Sequence, residues 1–317
     1  APPERERTIM LVGFIGLGTM GGAMALNVRK AGYDMIVYDL RREAGERHVA
    51  AGCRWADSPG EVAQEADVIF TSLPGPREIE AIALDEDGLL AGMKPGAAWF
   101  DLSTSSPTLA RRLHPRFAAK NIALLDAPVS GGPSGANSGR LAIWVGGEEP
   151  VFDRHKPLLD AIGDQAAYIG PIGAGSIAKL VHNCAGYAVQ TALAEVFTMG
   201  VKAGVEPLAL WEAIRQGAQG RARTFDRLGD EFLQNRFDPP SFALRLAHKD
   251  VTLAVELGKE LGVPMRLANL AREELTEAVN RGWGDRDSRV AMLLQEERAG
   301  VEIEVSKDLI DEARSRG

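Results

Sequence analysis

Apolar positions follow two different rhythms along this chain. From Thr8 to about Gly170, short apolar runs recur at Thr8–Gly16, Met35–Leu40, Asp67–Leu73, Ala97–Leu102, Ile122–Pro128 and Leu141–Gly146. Amphipathic stretches of helical length, such as Met20–Lys30 and Pro107–Lys120, separate most of them. Such alternation predicts a parallel sheet covered by helices on both faces. Ser58-Pro59 and Ser106-Pro107 each place a capping hydroxyl before a proline suited to the first helical turn. After Gly170 only the helical rhythm persists: a long stretch over Ile172–Ala203, then Leu208–Gln216, Phe225–Gln234, Leu244–Leu261, Met265–Arg281 and Ser288–Glu297. The pattern therefore predicts an α/β, doubly wound domain over residues 8–170. An all-α domain over residues 171–317 follows, joined to it by the long helix.

Composition changes little in that picture but narrows the partners. A chain of 317 residues is long for one core, which agrees with two domains. Hydrophobic residues are 45% and charged residues 25%, the proportions of a globular protein in water. The net charge of −8, with no basic block, argues against nucleic acid or an anionic membrane as partner. No apolar run reaches the roughly 18 residues of a membrane span. The two cysteines, Cys53 and Cys184, are far apart and in no metal-ligand spacing, so no metal site and a reducing, cytoplasmic setting are expected. Residues 1–7 lack an apolar stretch behind them and read as a flexible leader.

The first chemical motif lies at the end of the first apolar run. Gly16, Gly18 and Gly21, spanning Leu17, Thr19 and Met20, fit G-x-G-x-x-G between a strand and a helix. This Rossmann fingerprint provides a tight turn, room for a pyrophosphate against bare backbone, and close helix–strand packing. The helix start also offers unpaired N–H groups and a positive dipole end. Asp39 closes the second strand 21 residues after Gly18, where its carboxylate can accept from ribose hydroxyls and repel a 2′-phosphate. NAD is therefore expected rather than NADP, although Arg41 and Arg42 follow at once and soften the preference.

Four later segments occur in a set order. They are Asp101-Leu102-Ser103-Thr104-Ser105-Ser106-Pro107, Asp126-Ala127-Pro128-Val129-Ser130-Gly131-Gly132, Gly173-Ala174-Gly175 leading to Lys179-Leu180-Val181-His182-Asn183, and Phe242 through Lys249-Asp250. Together they closely resemble the β-hydroxyacid dehydrogenase family, over residues 8 to 297. The resemblance implies that Lys179 is the acid/base and Asn183 its hydrogen-bonding neighbour. It places Ser103 and Thr104 near nicotinamide and substrate, with Leu73 and Pro74 also at the cofactor. Ser130, Gly131 and Gly132 would hold the substrate carboxylate. Phe242 would border the substrate, Asp250 would close the site, and Lys249 would stand near the cofactor. Homodimers or homotetramers through the helical half are implied as well.

The physical reading of the residues stands beside this resemblance and leaves alternatives open. Ser-Gly-Gly lets backbone approach a ligand closely, although alone it is an ordinary turn. Lys179, His182 and Asn183 fall at i, i+3 and i+4, on one helical face among apolar neighbours. A lysine there either snorkels to water or, buried against substrate, loses its proton readily enough to act as a base. His182 departs from the Asn-Asn pair of many small-substrate relatives and is similar to the 6-phosphogluconate enzymes. It either binds a further substrate hydroxyl or fills space beside Lys179. Arg140 reads as a pocket-mouth or a solvated residue, and Arg221, Arg223 and Arg245 are open as readers of the distal substrate end. His48, His114, His155 and His248 have no recognisable triad partners. The expected activity is NAD-dependent oxidation of a small β-hydroxy acid. An NADPH-dependent semialdehyde or glyoxylate reductase and a non-catalytic cofactor-binding scaffold are the alternatives.

Overall fold

The computed structural model describes residues 10–221, 226–300 and 302–315. The 1–7 leader and Arg223 lie outside the described residues, and so do the side chains of Cys184, Lys249 and Asp250. The chain divides into two compact units between Ala185 and Gly186.

The first unit is built on nine strands: β1 (Leu11–Ile15), β2 (Asp34–Tyr38), β3 (Arg54–Trp55), β4 (Val68–Thr71), β5 (Ala98–Asp101), β6 (Ala123–Asp126), β7 (Val129–Ser130), β8 (Leu141–Gly146) and β9 (Gly163–Gly170). Their order is β3-β2-β1-β4-β5-β6-β8-β7, with β9 also on β8. The first six strands pair in parallel. β8 runs antiparallel to β6 and β7 and parallel to β9. The order reverses between β1 and β4, and such a reversal opens a crevice at the carboxyl ends of those strands.

Strand periodicity divides the core in two. Phe14, Val37, Phe70, Phe100 and Leu125 face one buried cluster, while Ile15, Ile36, Ile69, Trp99 and Leu124 face the other. Successive side chains in a strand point to opposite faces, so each strand feeds both layers. On the first face Phe14, Phe70 and Phe100 meet edge to face, at 5.9 and 5.7 Å between centroids. Truncating one of these rings to alanine would cost about 3–5 kcal/mol.

Three strands were not anticipated from the sequence. β3 and β7 have two residues each, too few to show a period. β9 has the edge sequence GDQAAYIG, most of it at least partly exposed, so it carries no apolar run.

The second unit is helical, and its only strand-like feature among the described residues is an isolated bridge between Ala243 and Asp287. The Ala174–Lys202 helix begins in the first unit and continues into the second. Leu244–Leu261 is a helix over its whole anticipated span. Three expected helices differ from the pattern. Phe225 lies outside the described residues; the rest of that segment is a 3₁₀ turn over Asp226–Gly229 and then irregular turns up to Asn235 at φ 47°. The Met265–Arg281 stretch is α-helical over Arg266–Ala278 and then widens, because Gly282 takes φ 84°. Ser288–Met292 is 3₁₀ before an α-helix over Leu293–Ala299. The unit's core gathers Phe232, Phe237, Leu244, Ala278, Val290 and Leu294.

Candidate active site

A cleft of ≈ 830 Å³ opens at the carboxyl ends of β1 and β4, lined by Gly16, Gly18, Gly21, Asp39, Leu73 and Pro74 among others. Thr19 and Met20 also face it, while Leu17 is buried beneath. The three glycines do three different jobs. Gly16 takes φ 93°, and a Cβ there would stand 2.3 Å from the Ser72 carbonyl. A Cβ on Gly21 would stand 2.0 Å from the Gly16 carbonyl, so the Thr19–Lys30 helix lies directly on the turn. A Cβ on Gly18 would meet nothing within 4 Å. The space at Gly18 is therefore the approach to the helix start, where unpaired N–H groups suit a pyrophosphate. The cradle fits a dinucleotide.

Asp39 follows β2 and is fixed by backbone donors. Its Oδ2 accepts from Leu17 N at 2.7 Å and its Oδ1 from Arg41 N at 2.9 Å. Arg41 lies 3.7 Å from it and is mostly exposed, whereas Arg42 stacks over Trp55 at 4.3 Å. Carboxylate oxygens keep further lone pairs for ribose hydroxyls.

Beyond β4 the site passes to side chains held from below. Leu73 N donates to Ser103 Oγ at 2.9 Å, so two segments assigned to the cofactor are tied together. Ser103 N donates in turn to Asp101 Oδ1, which also accepts from Thr71 Oγ1 at 2.8 Å. Burial pushes the Asp101 carboxyl up to about 6, against the lowering effect of these hydrogen bonds. Thr104, next in sequence, is exposed.

Lys179 sits in the second turn of the Ala174–Lys202 helix and is only 9% exposed. Its Nζ lies 6.0 Å from the Trp144 ring centroid, and no hydrogen bond or ion pair reaches it among the described residues. Burial holds its pKa below the usual lysine value, because the ammonium loses hydration. His182 packs on the same Trp144 ring at 5.2 Å, and its Nδ1 lies 3.1 Å from Asn183 Oδ1. Ser130 on β7 pairs with Ala142 of β8, two residues before Trp144. Positions two apart share a face of a strand, so Ser130 and Trp144 lie on one face of the sheet, and Lys179 approaches the Trp144 ring. Gly131 and Gly132 follow at φ 141° and 63°, and the space beside Gly132 is open.

Phe242 belongs to the second unit, half exposed, with its N–H on Asp287 Oδ2 at 3.1 Å. Arg140 pairs on the surface with Asp164, Arg245 pairs with Asp285, and Arg221 is exposed. His48 and His155 are buried on backbone carbonyls, and His248 bonds Thr276. Among the described residues no group of His, Cys, Asp or Glu is arranged for a metal, and no helix is long and apolar enough to cross a membrane. Asp101, Asp126 and Trp144 carried no individual role in the sequence reading. A signal for two of them was present: β5 and β6 each end an apolar run with an aspartate.

Residues 11–170 match the family described as the NAD binding domain of 6-phosphogluconate dehydrogenase. Residues 173–295 match the one described as NAD-binding of NADP-dependent 3-hydroxyisobutyrate dehydrogenase. The chain belongs to the β-hydroxyacid dehydrogenase family. It is 35% identical to 2-(hydroxymethyl)glutarate dehydrogenase of Eubacterium barkeri over 92% of this chain and 97% of that one. It is 35% identical to the NAD-dependent L-serine dehydrogenase of Pseudomonas aeruginosa, over 89% and 97%. Among solved structures, a 3-hydroxyisobutyrate dehydrogenase of Mycobacterium tuberculosis with L-serine is 29% identical, with a TM-score of 0.63 over 90% of this chain and 99% of that one. This family member is accordingly an NAD(P)-dependent hydroxyacid dehydrogenase with its NAD-binding domain in the first unit.

Proposed function

We propose that this dehydrogenase oxidises a small β-hydroxy acid with NAD, using Lys179 as the general base. The observation that carries the proposal is a buried lysine whose Nζ approaches the Trp144 ring with no ion pair to it among the described residues, Trp144 lying on the strand that pairs with Ser130. The dinucleotide would lie along Gly16, Gly18 and Gly21 with its ribose at Asp39, between Leu73-Pro74 and Ser103-Thr104, with Lys249 nearby. When bound, NAD accepts a hydride from the carbinol carbon. Neutral Lys179 takes the hydroxyl proton as that carbon is oxidised, and in reduction its ammonium returns the proton. Asn183 hydrogen-bonds beside it. Ser130 and the N–H groups of Gly131 and Gly132 hold the carboxylate, and Phe242 and Asp250 border the substrate.

The substrate class follows from chemistry common to the relatives. Serine, 3-hydroxyisobutyrate and 2-(hydroxymethyl)glutarate, named for proteins similar to this one, all carry a hydroxymethyl group on the carbon next to a carboxylate. We therefore assign a 2-substituted 3-hydroxypropanoate, with His182 beside the lysine facing the variable substituent. NAD is favoured over NADP because Asp39 would repel a 2′-phosphate. Exposed apolar residues on the Ala174–Lys202 helix, Val181 at 59% and Leu193 at 54%, support a homodimer or homotetramer. The buried free thiol of Cys53 fits a cytoplasmic setting.

The test is turnover of 3-hydroxyisobutyrate, serine, 3-hydroxypropionate and glycerate with NAD and NADP, for the natural chain and Lys179→Ala. Lysine-dependent NAD reduction is expected with at least one of them. Full turnover by Lys179→Ala would reject the lysine base.

A further inference from the structure

A lysine that works uncharged cannot be held in place by an ion pair, since a carboxylate partner would keep it protonated. Its position must come from the element that carries it. The first turn of the Ala174–Lys202 helix holds no acidic side chain, and a partner for N–H groups at its start comes from far away in sequence. Asp126, 2% exposed at the end of β6, accepts from Gly173 N through Oδ1 and from Ser176 N through Oδ2, both at 2.6 Å. One carboxylate thus spans the approach to the helix and its first turn, where N–H groups otherwise lack partners. Burial raises the pKa of this carboxyl while the two N–H groups oppose that rise, and the carboxyl faces the positive end of the helix.

The same helix start is pressed onto the sheet. A Cβ on Gly175 would stand 2.1 Å from the Trp144 carbonyl and 2.6 Å from that of Asp126. A Cβ on Gly146 would stand 2.8 Å from the N atoms of both Ala174 and Gly175. The helix therefore has one seat on β6 and β8, and Trp144 in that seat is the ring against which Lys179 rests. Lys179 follows Ser176 by three residues, less than one turn. A rotation of about 15° would swing a lysine tip roughly 8 Å from the axis by about 2 Å, enough to misplace a proton transfer.

We propose that Asp126 is a positioning residue for the reaction: it fixes the rotation and depth of the helix that carries Lys179, and so aims the base without pairing with it. This rests on Lys179 being the base. Burial as the sole cause of its lowered pKa agrees with a carboxylate that acts through the backbone.

The experiment uses the full chain with Asp126→Asn, Asp126→Ser, Lys179→Ala and the Asp126→Asn/Lys179→Ala pair. Steady-state kinetics are measured beside NAD affinity by fluorescence and helix content by circular dichroism. Asp126→Asn keeps one acceptor and turns an amide donor toward the other N–H. Its kcat is expected to fall about 10–100-fold with NAD affinity within about twofold of the natural chain. On the Lys179→Ala background the same change is expected to leave residual turnover unaltered, since a residue acting through the lysine has nothing left to act on. Natural kcat in Asp126→Asn would overturn the proposal, and so would an equal further loss in the double variant. Loss of NAD binding and helicity together in both Asp126 variants would make it a residue of the whole fold and overturn it too. Full turnover of Lys179→Ala alone would instead remove the lysine reading, so the two failures are distinguishable.

Discussion

Two regions of the first unit, the glycine turn with Asp39 and the proposed base Lys179, are held by different means. At β1 and β4 the cofactor edge is backbone: Gly16, Gly18 and Gly21 define it by having no side chain, and even Asp39 is pinned by N–H groups. At β5, β6 and β8 the lysine edge is built from buried side chains, with Asp101 under Ser103, Asp126 under the helix start and Trp144 against Lys179. A dinucleotide is long and anionic, and bare backbone suits it. A proton-transfer group needs a tuned environment, which only packed side chains provide. Added volume at Gly16 or Gly21 therefore disturbs the glycine turn, whereas the lysine region depends besides on buried acceptors such as Asp126.

The largest expected effect lies at the lysine edge. Lys179→Ala should lower kcat by about 10²–10⁴ while NAD affinity stays unchanged. The natural rate of oxidation should rise with pH through the lysine pKa, below its ordinary ~10.4, because only the neutral amine accepts a proton. A rising limb that survives in Lys179→Ala would assign it to another group.

The cofactor edge gives the next contrast. Gly21→Ala drives a methyl toward the Gly16 carbonyl and should lower stability by about 1–3 kcal/mol. Gly18→Ala meets no protein atom, so its melting temperature should hold while NAD affinity drops about tenfold. Equal melting losses in both variants would erase the distinction between packing and approach glycines.

Asp101→Asn probes polarity under the site with a smaller effect. The folded state holds this proton up to about pH 6, above the unfolded carboxyl near 3.9. Its stabilising contribution is therefore complete below about pH 4 and is lost as pH rises through 6. Asparagine keeps the Oδ1 acceptor without titrating. Relative to the natural chain, Asp101→Asn should gain about 1–2 kcal/mol between pH 4 and 7 in urea unfolding. Parallel pH curves would show that Asp101 does not titrate in this range.

The smallest effect concerns cofactor choice. Asp39→Ala should narrow the preference for NAD over NADP by about tenfold in kcat/KM, with exposed Arg41 free to meet a 2′-phosphate. An unchanged ratio would place discrimination elsewhere on the cleft.

Much of this was legible because it is local. The strands β1, β2, β4, β5, β6 and β8 each announce themselves as apolar runs, and the glycine spacing identifies the turn that follows β1. Lys179, His182 and Asn183 share a helical face by spacing alone. β9 was not legible, because an edge strand buries too little to need apolar residues. Neither was the irregular backbone of the expected Phe225–Gln234 helix, where Asn235 at its end takes φ 47° against the apolar period.

The sequence by itself determined the doubly wound sheet, the helical second half and the dinucleotide turn, since each is written in neighbouring residues or a short period, while Lys179 was singled out through resemblance to the family. The tertiary structure decided what surrounds that lysine. Trp144 precedes it by 35 residues and Asp126 by 53, and no spacing rule connects them. Their effect arises only when β6, β8 and the helix start are packed together, because desolvation and hydrogen-bond satisfaction are properties of an enclosed volume rather than of a stretch of chain.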